Sequence, residues 1–410
     1  MKRYYQVCRK CGKKWEADAY RCPSCGGVLR AVYERERDHL REVIENASSF
    51  WDYGELLPVT EENCRVSMGE GDTPLILAGN LGQMLGIENL FLKNEGMNPT
   101  GTFKDRCMSI SFSKAAELGA KAAVIGSAGN AGAAAAAYAA RAGLPCYVMV
   151  PAETPPQRIA LIRHYGARVI PVRGSVTDCI ELIGQVYETY GWHNVTTAAV
   201  YNPFQADAEK TISYEMARQL DWKVPDWIAV PVGGGGILSG IYEGFKDLLR
   251  LGLTDRLPRM IGVQESGCSP LVQAFRENKA PDEIERVERP QGVAVAIADA
   301  FPLDGETALT AVYESGGWAE DAEDEEILEA QAEIGRQEGV FAETASAAAC
   351  AAVKKMRAAG RIREGESVAC VITGNGVKEL PVIGASMDPL DPVDCDAAAL
   401  ERYLAERFRI

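Results

Sequence analysis

The chain is short of histidine, of positive charge and of long apolar runs, and each shortage removes a class of function. Three histidines, His39, His164 and His193, are scattered through 410 residues with no acidic partner at metal or triad spacing. They are read as surface or packing residues. Lysine and arginine number 43 against 58 aspartates and glutamates, a net charge of −15 that disfavours nucleic acid and anionic membrane as partners and favours solubility. No apolar run approaches bilayer length, and Met1-Lys2-Arg3 leads into polar residues and Cys8 without the apolar core of a signal peptide. A cytoplasmic protein is expected. The glycine run at 233–236 has no lysine and lacks GxGxxG spacing, which argues against a nucleotide P-loop or a Rossmann dinucleotide site.

What is present has the balance of a soluble globular enzyme, 47% apolar and 25% charged. The length exceeds one simple core and fits two sizeable domains plus a small module. Twelve cysteines fall into two classes. Eight are scattered singly. Four form Cys8-x-x-Cys11 and Cys22-x-x-Cys25, ten residues apart, with Gly12 and Gly26 after each pair where the chain must turn. Four thiolates at that spacing suit one tetrahedral zinc, filled by sulfur and hence structural. A disulfide framework fits poorly where nothing suggests export.

After an amphipathic segment from about Tyr33 to Asn46, short β-rich runs alternate with helical ones. The strands expected are 122–125, 146–151, 169–172, 227–232, 260–263 and 368–373, and the helices 131–142, 156–165, 178–190, 208–220, 237–251 and 324–338. Alternation of this kind means parallel sheets with helices on both faces and ligands gathered where strands end.

In Asn98 to Arg106, NPTGTFKDR, Lys104 follows Gly101, Thr102 and Phe103. Glycine permits close backbone approach, the aromatic ring removes water, and a desolvated lysine is pushed toward the free, nucleophilic amine of a Schiff base. Taken alone, the run is equally that of a lysine at a helix start beside Asp105 and Arg106. Pro231 to Gly236, PVGGGG, follows an expected strand and precedes a helix, so the amides of Gly233, Gly234, Gly235 and Gly236 suit a dianionic phosphate, or a bare tight turn. Ser127 to Gly132, SAGNAG, also joins strand to helix and places Ser127, Asn130 and the amides of Ala128 to Ala131 at a helix N-terminus, with Ser127 or Asn130 as the N-cap.

KNEGMNPTGTFKDR resembles the lysine segment of the tryptophan-synthase-β-like family of pyridoxal-phosphate (PLP) enzymes, and within it the threonine synthases most closely. GEGDTPL at Gly69 to Leu75, SAGNAG, PVGGGG and TGNGVKE at Thr373 to Glu379 are similar to the family's other landmarks, in the family's order. The resemblance implies fold type II, an α/β protein with two doubly wound αβα domains, here behind an N-terminal zinc ribbon: residues 1–32 as the ribbon, 33–112 with 205–410 as the larger PLP-binding domain, and 113–204 as the smaller one. It implies PLP and structural zinc as cofactors, a homodimer, and an amino-acid substrate. Lys104 would be the Schiff-base lysine and proton shuttle. Phe103, Asn130 (toward the phenolic oxygen), the four glycines (toward the phosphate) and Thr373 (toward the pyridine nitrogen) would bind the cofactor. Ser127, Ala128, Ala131, Asn202 and Lys210 would bind substrate, and Cys8, Cys11, Cys22 and Cys25 the metal.

The implied reaction converts O-phosphohomoserine and water to threonine and phosphate. One segment departs from the pattern. Threonine synthases carry Asn-Pro-aromatic-Arg and then Glu-Gly-Gln-Lys-Thr, whereas Asn202 to Thr211 reads NPFQADAEKT, with Gln205 at the arginine position and Asp207 and Glu209 adding negative charge. A neutral amide cannot clamp a phosphate. Asn202, Lys210, Lys378 and Arg106 remain as candidates for that role. The alternatives are a serine/threonine dehydratase or a β/γ-replacement enzyme on another activated amino acid, and a catalytically silent relative.

Overall fold

A computed structural model describes residues 4–16, 18–380 and 390–408. Met1–Gly376 form one compact unit and Val377–Ile410 another, which contains the helix Ala397–Phe408.

The strands of the first unit are β1 Tyr4–Cys8, β2 Lys14–Trp15, β3 Leu29–Tyr33, β4 Leu75–Leu77, β5 Leu90–Asn94, β6 Ala122–Gly126, β7 Cys146–Pro151, β8 Arg168–Val172, β9 Trp192–Asn194, β10 Trp227–Pro231, β11 Arg259–Glu265, β12 Trp318–Ala322 and β13 Val368–Ile372. They form three sheets: β2-β1-β3, β12-β11-β10-β13-β5-β4 and β8-β7-β6-β9. The first is antiparallel. The other two are parallel except for β4, which runs antiparallel along the β5 edge. Central position explains composition. β6, β10 and β13 are buried at every residue, as strands covered on both faces must be. Pro171 sits in β8, an edge strand, where a missing N–H breaks no ladder.

Helix ends shift by a few residues from their expected places. The first helix covers Arg37–Asn46, and the one expected at 178–190 starts at Val176, where Ser175 caps it, and ends at Val186. The helix expected at 208–220 is Lys210–Gln219, and a 3-10 turn, Pro203–Asp207, precedes it. The SAGNAG helix runs Asn130–Ala142 with Gly129 as its N-cap and no side-chain cap, which corrects the assignment of that role to Ser127 or Asn130. Its alanines pack beside Met108, Phe112, Ile125 and Val148, so small side chains serve close approach of helix and sheet. Two further helices are concealed from apolar periodicity by polar and alanine-rich stretches: Thr344–Ala358, which lies on the larger sheet, and Lys104–Glu117, which packs on Asn130–Ala142.

Two glycines bring the helices Lys210–Gln219 and Gly236–Leu251 together. A Cβ on Gly240 would lie 2.5 Å from Cβ of Glu209, and one on Gly244 would lie 2.6 Å from the carbonyl oxygen of Lys210. Glu209 is thereby held at the start of the glycine-run helix.

The three-stranded module is fastened to the unit by side chains. Tyr33 donates to Asp207 at 2.6 Å, Lys114 pairs with Asp18 at 2.9 Å, and Tyr20 hydrogen-bonds His193 and packs edge-on to Phe204. Burial, aided by the Lys114 charge, pushes His193 down to about 3, so it is a neutral packing residue. His39 pairs with Glu55 on the surface, and neither His39 nor His164 is near the strand ends described below.

Candidate active site

Lys104 is the first residue of its helix and is half-buried, its ammonium 4.5 Å above the Phe103 ring and donating to Thr197 at 3.1 Å. The segment in front of it is welded to the end of β13. Phe103 N–H donates to the Thr373 carbonyl at 3.0 Å, Asn375 N–H donates to the Gly101 carbonyl at 2.9 Å, and Thr102 bridges Gly374. Gly101, at φ +74°, makes the turn that allows this. The lysine motif and the TGNG motif, far apart in sequence, are thus one local structure.

Thr373 is 4% exposed, and its hydroxyl lies 2.9 Å from that of Ser346. Ser346 also accepts from Gly374 N–H at 2.9 Å. Ser346 Oγ also donates to the Gly374 carbonyl at 3.3 Å, so either hydroxyl of the Ser346–Thr373 pair can be the donor. Glu343, immediately before the same helix, receives both carboxylate contacts of Asn130 Nδ2, at 3.0 and 2.9 Å. A Cβ on Gly374 would lie 2.3 Å from Glu343 Oε1, so a side chain there would displace the carboxylate that Asn130 contacts.

At the end of β10, Gly235 takes φ +99° and the helix Gly236–Leu251 begins, so successive amides face outward at a helix N-terminus. The bend is clasped by the Asp304 backbone, whose N–H donates to the Gly234 carbonyl at 2.7 Å. Carboxylates stand around it. Asp299 Oδ2 is 2.9 Å from where a Cβ of Gly233 would be, and Asp304 Oδ2 and Glu209 Oε1 are 3.2 and 3.9 Å from the corresponding point at Gly236. Glu209, 2% exposed, accepts from the Cys107 thiol at 2.9 Å through Oε1. Burial raises it to about 7, against the pull of Cys107 and Lys104. Burial likewise raises Asp304 to about 6, opposed by the Ala199 amide, Arg9 and Lys104.

Of the residues expected at the site, then, Phe103, Lys104, Thr373, Asn130 and Gly233 to Gly236 lie at the C-terminal ends of β5, β13, β6 and β10 or at helix starts just beyond them. Ser127, which accepts from Gly129 N–H at 3.2 Å, Ala128 and Ala131 flank Asn130. The proposed phosphate cations fare differently. Lys210 pairs with Asp207 at 2.8 Å and Asp247 at 3.4 Å. Arg106 is wholly buried and spends its guanidinium on Glu95, Glu215, Thr211 and Thr73, a network that Lys93 joins through Glu215 at 2.7 Å. Arg106 is therefore a scaffold residue, correcting its candidacy as a phosphate ligand. Asn202 donates to Ser111 at 2.9 Å, with its Oδ1 buried and unpaired. Lys378 belongs to the separate unit that begins at Val377. Glu343, Ser346, Thr197 and Asp304 were not anticipated. EGVFAETASAA carries a usable signal, an acid directly before a helix start, but no spacing connects it to Lys104.

The four cysteine sulfurs of the small module lie within 4.8 Å of one another, Cys8 to Cys25 at 3.5 Å and Cys11 to Cys22 at 3.7 Å. Tetrahedral zinc–thiolate bonds require sulfur separations of about 3.8 Å. Gly12 and Gly26, at φ +70° and +69°, close the two knuckles. The donor set fits the metal.

Residues 66–374 match the family model described as pyridoxal-phosphate dependent enzyme. The chain is 40% identical to a threonine synthase of Methanocaldococcus jannaschii over 98% of its own length and 99% of that protein. It is 39% identical to a threonine synthase of Methanosarcina acetivorans over 92% of each. Maize serine racemase shares the fold, with a TM-score of 0.67 at 20% identity, covering 92% of this chain and 99% of that one. With the family model matching most of the chain and the curated relatives matching it nearly end to end, the chain belongs to the threonine synthases of the pyridoxal-phosphate dependent enzyme family.

Proposed function

We propose that the chain makes L-threonine and phosphate from O-phosphohomoserine and water, with PLP held at the strand ends just described. The observation that carries this reading is the 40% identity over 98% of the chain, joined to a lysine segment hydrogen-bonded to the Thr373 strand end. PLP supplies an electrophilic aldehyde and an electron-withdrawing ring. Lys104 would hold the cofactor through its aldehyde and, once freed, would take protons from Cα and Cβ of the substrate and return them as general base and acid. Phe103 keeps water from the amine. The amides of Gly233 to Gly236 would take the phosphate, Asn130, held by Glu343, would donate to the phenolic oxygen, and Thr373, beside Ser346, would donate to the ring nitrogen. A hydroxyl cannot protonate that nitrogen as a carboxylic acid would, so proton transfer relies on Lys104. Ser127 and the Ala128 to Ala131 amides would receive the substrate carboxylate, with Asn202 at the distal end of the substrate.

The same reading assigns one structural zinc to Cys8, Cys11, Cys22 and Cys25, a cytoplasmic homodimer, and the division into 1–32, 33–112 with 205–410, and 113–204. A specific observation favours a second reading, a serine/threonine dehydratase or replacement enzyme on another activated amino acid. Gln205 replaces arginine, Lys210 and Arg106 are committed to carboxylates, and acids surround the glycine bend. Incubation of the protein with O-phosphohomoserine, and separately with serine and with threonine, distinguishes the two. Phosphate and threonine from the first alone support threonine synthesis, and keto acid from the others supports the dehydratase.

A further inference from the structure

A glycine bend built for a dianion stands among carboxyl groups. An ionised carboxylate within a few ångströms of a phosphate in a buried site costs more than either charge alone, because water no longer screens them. Glu209 is closed in on every side. Lys104 and Cys107 face it from the helix Lys104–Glu117, Gly236 and Gly240 from the glycine-run helix, and Asp304 from the loop before Gly305–Glu314. Its Oε1 takes the Cys107 thiol, while Oε2 is buried with no hydrogen-bond partner among the described residues. An unsatisfied buried carboxyl oxygen beside an anion cradle is anomalous as an acceptor and sensible as the O–H of a carboxylic acid. Asp304, on which the Arg9 and Lys104 charges act, accepts the Ala199 amide at 3.0 and 3.1 Å and faces Gly236. Asp299, over Gly233, is an exposed residue whose carboxyl is nonetheless raised by its desolvated setting, against the pull of Lys104.

We propose that Glu209 and Asp304 hold the phosphate end of the cofactor as neutral carboxylic acids, donating hydrogen bonds beside the amides of Gly233 to Gly236, so that cofactor binding takes up protons. The inference rests on the reading that PLP occupies this bend. Before binding, the Lys104 ammonium offsets the ionised carboxyls. The arrival of a dianion would turn the balance of charge negative, so that the carboxyls retain or gain hydrogen. No bond other than O–H forms in the step, and the proton comes from solvent.

The test uses full-length apoprotein titrated with PLP between pH 6 and 9, read by the cofactor's absorbance and by calorimetry in buffers of different ionisation enthalpy. The comparison is wild type against Glu209→Gln, which keeps shape and a donor but cannot ionise. The wild-type to variant ratio of Kd should be near one at pH 6 and rise by about tenfold per pH unit above pH 7. Calorimetry should find net proton uptake by wild type at pH 8 that is smaller in the variant, and Asp304→Asn should show the same trend beginning at lower pH. A ratio that stays flat with pH, or zero proton uptake by wild type, overturns the proposal even if no variant folds. Absence of PLP binding at every pH would instead overturn the reading beneath it.

Discussion

Phe103 donates its backbone N–H to the carbonyl of Thr373 at 3.0 Å, which fixes the start of the Lys104 helix to the end of β13. The bond is main-chain to main-chain and so survives any substitution at Lys104. Lys104→Ala should therefore keep its far-ultraviolet circular dichroism and lose less than about 1 kcal/mol of stability, as a half-exposed position allows. Turnover should fall by about 10²-fold or more from the loss of proton transfer alone, and the absorbance of bound cofactor should disappear. Turnover at the wild-type rate would remove Lys104 from the site.

Glu209 also makes a prediction about the protein without ligand. Its carboxyl ionises near 4.5 when unfolded and at about 7 when folded. The unfolded chain loses the proton first, so stability falls as pH climbs from about 4.5 to about 7 and then levels. The effect is about 3 kcal/mol at most. Glu209→Gln abolishes it. The variant's apoprotein should melt higher than wild type at pH 8 and no higher at pH 4.5, and equal melting temperatures at both pH values would contradict the assignment.

Arg106 serves the scaffold, and its removal strands Glu95 without its ion-pair partner and leaves Glu215 with Lys93 alone. Arg106→Met should cost about 3–5 kcal/mol, measured by urea denaturation. A variant that is as stable as wild type but impaired only in KM for a phosphorylated substrate would restore Arg106 as a ligand.

Zinc should be present at one per chain by metal analysis of purified protein. Cys22→Ser should lower that content and weaken the module whose Tyr33 holds Asp207 and whose Tyr20 packs on Phe204, so thermal stability should fall with it. Full stability with no metal would refute the ribbon as a zinc site.

Much of this was readable in the sequence wherever one short segment sets its own conformation. β6, β10 and β13 are compact apolar runs ended by glycine or a polar turn, and the cysteine knuckles carry their own turn glycines. Local pattern fails where geometry depends on distant residues. Glu343 reaches Asn130 only because Gly374 leaves room, and Ser346 reaches Thr373 from the next helix, so neither pairing has a spacing in the chain. Arg106 and Lys210 looked like free cations for the same reason. Their partners, Glu95 with Glu215 and Asp207 with Asp247, are supplied largely by other elements. The helix Lys104–Glu117 escaped apolar periodicity because Asp105, Arg106, Ser109, Ser111, Ser113 and Lys114 are all buried, each polar group spent on tertiary contacts or packing.

The identity of the amine that bonds the cofactor tests the account most directly. Borohydride reduction of the PLP-loaded protein, followed by digestion and peptide mass spectrometry, locates it. The predicted result is a single phosphopyridoxyl group on Lys104. Attachment at Lys93, Lys114 or Lys210, or none at all, would contradict the site proposed here.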